Sequence, residues 1–317
     1  MFYWEGKNMI NLKNISKNYG ENKALQNVSL KIEKGELFGL LGPNGAGKTT
    51  MINIINTFLP FDEGEIFIND LSLRDNKEKI KQKIGIIPQE IALYDELTAF
   101  ENLKFWGEIY SISKPELKKR CEEILKMVGL YDRRNDPLKK YSGGMKRRIN
   151  IAAGLLHNPE IILMDEPTVG VDPQSRNFIF EMIEQLNSIG KTIIFTTHYM
   201  EEAERLCKRI AIIDHGKIIA LGTKEELFKL LEDENSITIK FKNSIDFKEF
   251  QKVLNEFQLT KISNNSILIS GENLIGNLSG ILNSIKQNED EIEEIDFNKP
   301  NLEKLFLKLT GRELRDE

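Results

Sequence analysis

Residues 42 to 49 read GPNGAGKT, a G-x-x-x-x-G-K-[ST] pattern lying between an apolar run, LFGLLG, and a helical-looking stretch, TTMINIINTF. Such a loop suits a polyphosphate for plain physical reasons. Glycines at 42, 45 and 47 let the backbone curl so that its N–H groups face an anion. Lys48 adds a cation for the β and γ phosphates, and Thr49 offers a hydroxyl to Mg²⁺. A merely glycine-rich strand-to-helix turn would explain neither Lys48 nor Thr49. The expected cradle is Gly42, Pro43, Asn44, Gly45, Ala46, Gly47, Lys48 and Thr49, with Thr50 behind it.

A second chemical cluster is IILMDEP, residues 161 to 167, an apolar strand pattern ending in two carboxylates. Ligands of open α/β sheets bind at the carboxyl ends of strands, so Asp165 can hold a hydrated Mg²⁺ and Glu166 can orient or deprotonate a water in line with a γ-phosphorus. Three further residues stand at or near strand ends. The Gln89 amide can reach both metal and water, and His198, closing KTIIFTTH, can contact a γ-phosphate, although a lone histidine is more often a satisfied polar group. Tyr19 is either a stacking platform for adenine or a core-edge aromatic. His157 and His215 read as loop residues without a role.

A third cluster, YSGGMKRR at 141 to 148, opens a helix (GGMKRRINIAAGLLHN) with Ser142 as its N-cap. Free N–H groups and a positive dipole end suit an anion, yet the phosphate loop lies about a hundred residues upstream. Whose phosphate this end would hold is not decided by the stretch itself.

The elements that position these residues follow from hydrophobic pattern. MINLKNIS and NVSLKIE alternate like half-buried antiparallel strands, whereas LFGLLG, EIILMD and TIIFTT are continuous apolar runs suited to a buried parallel sheet. Between about 90 and 158 the pattern turns helical, with Thr98–Glu101 and Ser113–Glu116 both fitting a capping box. RIAIIDHGKIIALG reads as a hairpin turning at His215-Gly216, and the helix KEELFKLL ends near Glu232 before acidic EDEN. This divides the chain into residues 1–234 and 235–317. The second part reads β-α-β-β-α-β, a ferredoxin-like order, followed by a helix whose Leu302, Leu305, Phe306 and Leu309 form an apolar stripe.

Composition bounds the function. The chain has 317 residues, 40% of them hydrophobic, enough for two cores, and a net charge of −5 with no basic stripe, which argues against a nucleic-acid partner. Cys121 and Cys207 lack metal spacing and read as inert thiols in a reducing compartment. No uncharged apolar run approaches the about 18 residues of a membrane span, and MFYWEGKNMI has no signal-peptide pattern. Met9 begins a strand, so residues 1 to 8 read as an extension outside the fold or an upstream start.

Tyr19, GPNGAGKT, Gln89, YSGGMKRR, IILMDEP, VGVDP and His198 together resemble, in order and spacing, an ABC-type ATPase subunit over roughly residues 9 to 231. The resemblance implies an α/β P-loop NTPase core with an antiparallel flank and an inserted helical subdomain, followed here by a small α+β domain. It implies ATP and Mg²⁺ as cofactors and two subunits packed head to tail, as a homodimer or with a second ATPase chain. Ser142, Gly143 and Gly144 would then serve the partner's ATP, with Asp172 crossing the same interface. Met145 stands where the family most often has Gln, so a role for that amide is absent while the backbone donors remain.

The tail PNLEKLFLKLTGRELRD resembles the drug- and sodium-exporter branch, whose ATPase is a separate chain from its permease. That implies a cytoplasmic subunit held on the inner face of the cell membrane by a transmembrane partner. Tyr94, Phe100 and Trp106 would form the docking surface, with helix-packed core as the competing reading for the latter two. Two other classes are an ABC protein acting on ribosomes or DNA, for which a second cassette or long heptads would be the mark, and a non-hydrolysing sensor, against which Glu166 argues.

Overall fold

A computed structural model describes residues 8–231, 236–271, 274, 276–286, 291–298 and 300–311; the expected N-terminal extension up to residue 7, the EDEN segment and the end of the tail lie outside them. Two compact units divide at Lys224/Glu225.

The first unit contains β1 (Asn8–Tyr19), β2 (Asn22–Glu33), β3 (Leu37–Leu41), α1 (Lys48–Ile55), β4 (Glu63–Ile68), β5 (Leu71–Ser72), α2 (Lys77–Lys81) and β6 (Ile84–Ile87). A helical stretch follows, with α3 (Ala99–Ile109), α4 (Lys114–Met127) and α5 (Gly143–Leu155). The chain then returns to the sheet through β7 (Ile161–Asp165), α6 (Pro173–Ser188), β8 (Thr192–Thr197), α7 (Met200–Leu206), β9 (Arg209–Asp214) and β10 (Lys217–Thr223). One sheet has the order β2-β1-β4-β5, all antiparallel, which is the expected flank. The other has the order β10-β9-β3-β8-β7-β6, parallel except for the β9–β10 hairpin. β3, β7 and β8 are buried along their whole length, as strands covered on both faces must be, so their middles are continuously apolar rather than alternating. The β9–β10 turn is the expected one: His215 and Gly216 both take positive φ (45° and 72°), as a two-residue primed turn requires.

The helical stretch confirms one capping box and corrects the other. Thr98 Oγ1 accepts from the Glu101 N–H and the Glu101 carboxylate accepts from the Thr98 N–H, closing the start of α3. Ser113, the N-cap of α4, makes no such side-chain bond, and Pro115 stands in the first turn of that helix. Leu117, Cys121, Ile124 and Leu125 are the buried positions of α4.

The second unit starts with α8 (Lys224–Lys229), ten residues before the boundary read from composition, and the helix stops short of Glu232. Within this unit Lys308 Nζ donates to the Leu230 carbonyl, just past the helix, at 3.0 Å. β11 (Ser236–Phe241), α9 (Phe247–Val253), β12 (Gln258–Ser263), β13 (Ser266–Ser270), α10 (Leu278–Lys286) and β14 (Ile292–Asn298) give the sheet order β12-β13-β11-β14, antiparallel throughout. That is the ferredoxin-like arrangement, closed around Ile237, Ile239, Phe241, Phe250, Ile267, Ile269 and Ile281. In α11 (Leu302–Thr310) the stripe is narrower than expected: Leu302, Leu305 and Phe306 are buried, but Leu309 is 40% exposed.

Candidate nucleotide site

Parallel pairing brings the chemistry together. Leu41 is in register with Thr197, and Asp165 with Thr196, so β3, β7 and β8 end at one level and their following loops share one edge of the sheet. The Gly42 N–H donates to the Thr197 carbonyl at 3.3 Å, which fixes the root of the loop. Gly45 and Gly47 then take φ of 77° and 109°, values that only glycine adopts without strain, and α1 begins at Lys48. No side chain caps α1, so its first N–H groups, from Lys48, Thr49 and Thr50, are donors that an anion can meet.

Lys48 is 4% exposed, and its ammonium lies 2.8 Å from the Gly42 carbonyl, 3.0 Å from that of Pro43 and 3.0 Å from Glu166 Oε1. The other Glu166 oxygen is 3.1 Å from His198 Nδ1. Glu166 itself sits at φ 45°, a left-handed conformation unusual for a side chain with a Cβ, and its N–H is held by Thr196 Oγ1 at 3.0 Å. The same hydroxyl donates to Asp165 Oδ1 at 2.7 Å, so Thr196 sets both carboxylates at once.

These residues line a cleft of about 600 Å³, into which Tyr19, Asn44, Gly45, Gly47, Lys48, Thr49, Thr50, Gln89 and Glu166 all face. Gly42, Pro43, Ala46, Asp165 and His198 are not part of this lining. Tyr19, at the end of β1, is 49% exposed, and Lys17 Nζ lies 5.8 Å from its ring centre. His215 also lines the cleft, and so does Lys23, neither of which sequence pattern singled out. Among the described residues no group of three His, Cys, Asp or Glu forms a metal cage. A hydroxyl, an amide oxygen and a carboxylate, from Thr49, Gln89 and Asp165, nevertheless suit Mg²⁺, which is usually held by one or two protein oxygens with phosphate and water completing the octahedron.

The third cluster lies elsewhere: none of Ser142, Gly143, Gly144, Met145 and Asp172 lines the cleft. Ser142 caps α5 by accepting from the Met145 N–H at 3.2 Å, and the Met145 sulfur lies 3.6 Å from Arg133 Nη1. Asp172 caps α6 through the Ser175 N–H at 2.9 Å, and that bond holds its carboxyl below the usual range. A Cβ on Gly144 would fall 2.1 Å from Ser175 Oγ and 2.9 Å from Asp172 Oδ2, so the two helix starts pack together only because residue 144 has no side chain. Gly143 faces open space.

Arg147, on the third turn-facing position after that serine, escaped the sequence reading although it binds the site into one piece. It is 2% exposed. Its Nε donates to the Pro167 carbonyl at 2.6 Å, Nη1 to those of Pro88 and Gln89 at 2.6 and 2.9 Å, and Nη2 to those of Asp165 and Glu166 at 3.3 and 2.9 Å. Burial draws the guanidinium down to about 10, still charged at neutral pH. The available signal was its place on the same helical face as buried Asn150 and Ile151, where a charge needs a built partner.

Beyond the cleft, Tyr94, Phe105 and Trp106 form an edge-to-face series with ring centres 5.1 and 5.7 Å apart. Tyr94 is 51% exposed and Phe105 36%. Phe100 does not join them; it is half-buried, and Phe105 takes its place. No helix among the described residues is long and apolar enough to cross a membrane.

Residues 25–169 match the family model described as ABC transporter. The chain is 46% identical to the linearmycin resistance ATP-binding protein LnrL of Bacillus subtilis, over 97% of this chain and 100% of that protein. It is 35% identical to the Nod factor export ATP-binding protein I of Sinorhizobium fredii, over 97% of this chain and 87% of that one. Among solved structures it resembles the ATP-binding cassette MJ0796 in a dimeric post-hydrolysis state bound to ADP and Pi, with a TM-score of 0.62, 36% identity, and coverage of 68% of this chain and 98% of the other. With its phosphate loop, paired strand-end carboxylates and serine-capped helix in these places, the chain belongs to the ABC transporter family, as an ATP-binding ATPase subunit.

Proposed function

We propose that this subunit binds ATP with Mg²⁺ in the cleft under GPNGAGKT, pairs with a second ATPase subunit around two nucleotides, and drives export through separately encoded transmembrane chains. The observation that carries the reading is the separation within one chain of a complete phosphate-binding cleft from a second anion-type helix start, Ser142–Gly144, that lines no part of it. Head-to-tail pairing gives that helix start a phosphate to meet, and Asp172, packed against Gly144, goes with it.

In this reading the loop N–H groups and Lys48 hold the β and γ phosphates, and Tyr19 stacks on adenine. Glu166 takes a proton from a water as that water attacks the γ-phosphorus and the bond to the bridging oxygen breaks, releasing ADP and phosphate. His198, 3.1 Å from Glu166, keeps that carboxylate aimed and contacts the γ-phosphate. Mg²⁺ at Thr49, Gln89 and Asp165 supplies neutralisation of the phosphate charge. The exposed Tyr94–Phe105–Trp106 series is the surface offered to the membrane chain, which would hold the subunit at the inner face of the membrane. Resistance and export in the relatives' names support an exporter.

The cis and trans readings separate cleanly. Lys48→Ala should weaken ATP binding by the value of a charged hydrogen bond, roughly ten- to a hundredfold. Ser142→Arg should leave binding to the single subunit near wild type and abolish the ATP-dependent dimer. If calorimetry finds Ser142→Arg as impaired in binding as Lys48→Ala, the serine acts within its own chain and the composite site is wrong.

A further inference from the structure

A buried carboxylate lies beneath the site and has no part in the reaction just given. Glu202, in α7, is 3% exposed, and burial pushes its carboxyl above the usual range. One oxygen, Oε2, accepts two hydroxyl hydrogens: from Thr168 at 2.9 Å and from Thr197 at 2.7 Å. Thr168 is two residues beyond Glu166, and Thr197 immediately precedes His198. The Thr197 hydroxyl also accepts from the Tyr199 N–H at 2.9 Å, so a single side chain brackets His198 on both sides. Oε1 has no hydrogen-bond partner, and Arg176 Nε approaches it only to 3.8 Å. Arg176 lies one turn into α6, its N–H bonded to the Asp172 carbonyl at 2.9 Å, and its guanidinium sits 5.7 Å from the Tyr199 ring centre.

For stability alone this is a poor arrangement, since a desolvated carboxylate with an unmet oxygen carries a cost that an apolar side chain would not. Its geometry suits another purpose. Beside the Glu166–His198 contact and the hold of Thr196 on the Glu166 N–H, the two threonine bonds to Glu202 tie the segment running from Glu166 to Asp172 to the segment carrying His198. We propose that Glu202 is a positioning residue for hydrolysis: its Oε2 pins the backbone flanking Glu166 to the backbone flanking His198, so that the two side chains keep their 3.1 Å contact and a shift of the Asp172 segment is passed to His198. This rests on the reading that Glu166 activates the water. A misplacement of such a pair by about 1 Å costs on the order of a hundredfold in rate, while Lys48 and the loop donors are untouched.

The test uses the full chain and its steady-state phosphate release. Thr168→Val and Thr197→Val delete only the hydroxyls. Each should lower kcat about ten- to a hundredfold with KM for ATP within about twofold, and the double variant should be little worse than the worse single one, because both bonds serve one oxygen. Thr168→Ser and Thr197→Ser should restore kcat. Glu202→Gln, whose amide oxygen can accept both bonds, should stay near wild type, whereas Glu202→Ala should match the valine variants. The proposal is overturned if the valine variants keep kcat within about twofold, if KM rises in step with the loss of kcat, if serine fails to restore it, or if Glu202→Gln is as damaging as Glu202→Ala. Glu166→Gln in the same assay keeps the two readings apart: hydrolysis by that variant removes the base assigned above, while the threonine series reports on Glu202 alone.

Discussion

Arg147→Met is the substitution that strains the account most usefully. The methionine keeps the length and the apolar stem but removes donors from five carbonyls, those of Pro88, Gln89, Asp165, Glu166 and Pro167. At a net value of about 1 kcal/mol per bond, and after subtracting about 1–2 kcal/mol for the side-chain entropy and desolvation that the arginine itself loses, the variant should be destabilised by roughly 3–4 kcal/mol. For a unit of this size that lowers the melting temperature of the ATPase part by roughly 6–16 °C. Arg147→Lys should recover less than half of this, since one ammonium cannot fork toward carbonyls on both sides. The same carbonyls belong to the residues that carry Gln89 and Glu166, so kcat should fall further than ATP affinity at temperatures where the variant is folded. Thermal melts with calorimetry and phosphate release measure both. A Met variant melting within about 2 °C of wild type, with kcat within about twofold, would refute the claim that this guanidinium holds the site together.

Gly144→Ala places a methyl 2.1 Å from Ser175 Oγ and should push the α5 and α6 starts apart at a cost of about 1–3 kcal/mol. ATP affinity of the single subunit should hold while the ATP-dependent dimer weakens, as analytical ultracentrifugation would report. Burial raises the Cys121 thiol from 9.0 to about 11 and also pushes Cys207 up, so neither should react with iodoacetamide at pH 7.5 until the chain unfolds. Because the native state keeps a proton that the unfolded thiol gives up, stability should fall as pH rises from about 9 through 11, which urea titrations across that window would detect.

The phosphate loop was legible because its constraint is local: Gly47 must take a left-handed conformation, and Lys48 and Thr49 must open a helix, within one short stretch. The strands were equally plain, since a sheet buried on both faces leaves the middles of β3, β7 and β8 apolar, with polar residues only at or near their ends. What pattern could not give was anything made by distant residues meeting. Arg147 and Glu202 look like surface charges in amphipathic helices, and only the fold shows that each is enclosed and bonded across 18 to 59 and 5 to 34 residues of chain. Thr196 looked like one more strand residue, yet it sets both carboxylates. The division at Lys224/Glu225 likewise depends on contacts between distant residues, such as Lys308 with Leu230. The Ser113 motif is present in sequence, yet no side-chain cap forms there.

The most direct test of a site shared between two subunits is the behaviour of Glu166→Gln with ATP and Mg²⁺. The amide keeps the shape of a side chain that is 5% exposed but cannot take the water's proton. Light scattering on a sizing column, with phosphate release from the same sample, should find a stable dimer holding ATP and no turnover, and adding Ser142→Arg should return it to monomers that still bind ATP. Wild-type hydrolysis by Glu166→Gln, or a dimer that persists with Ser142→Arg, would contradict the account.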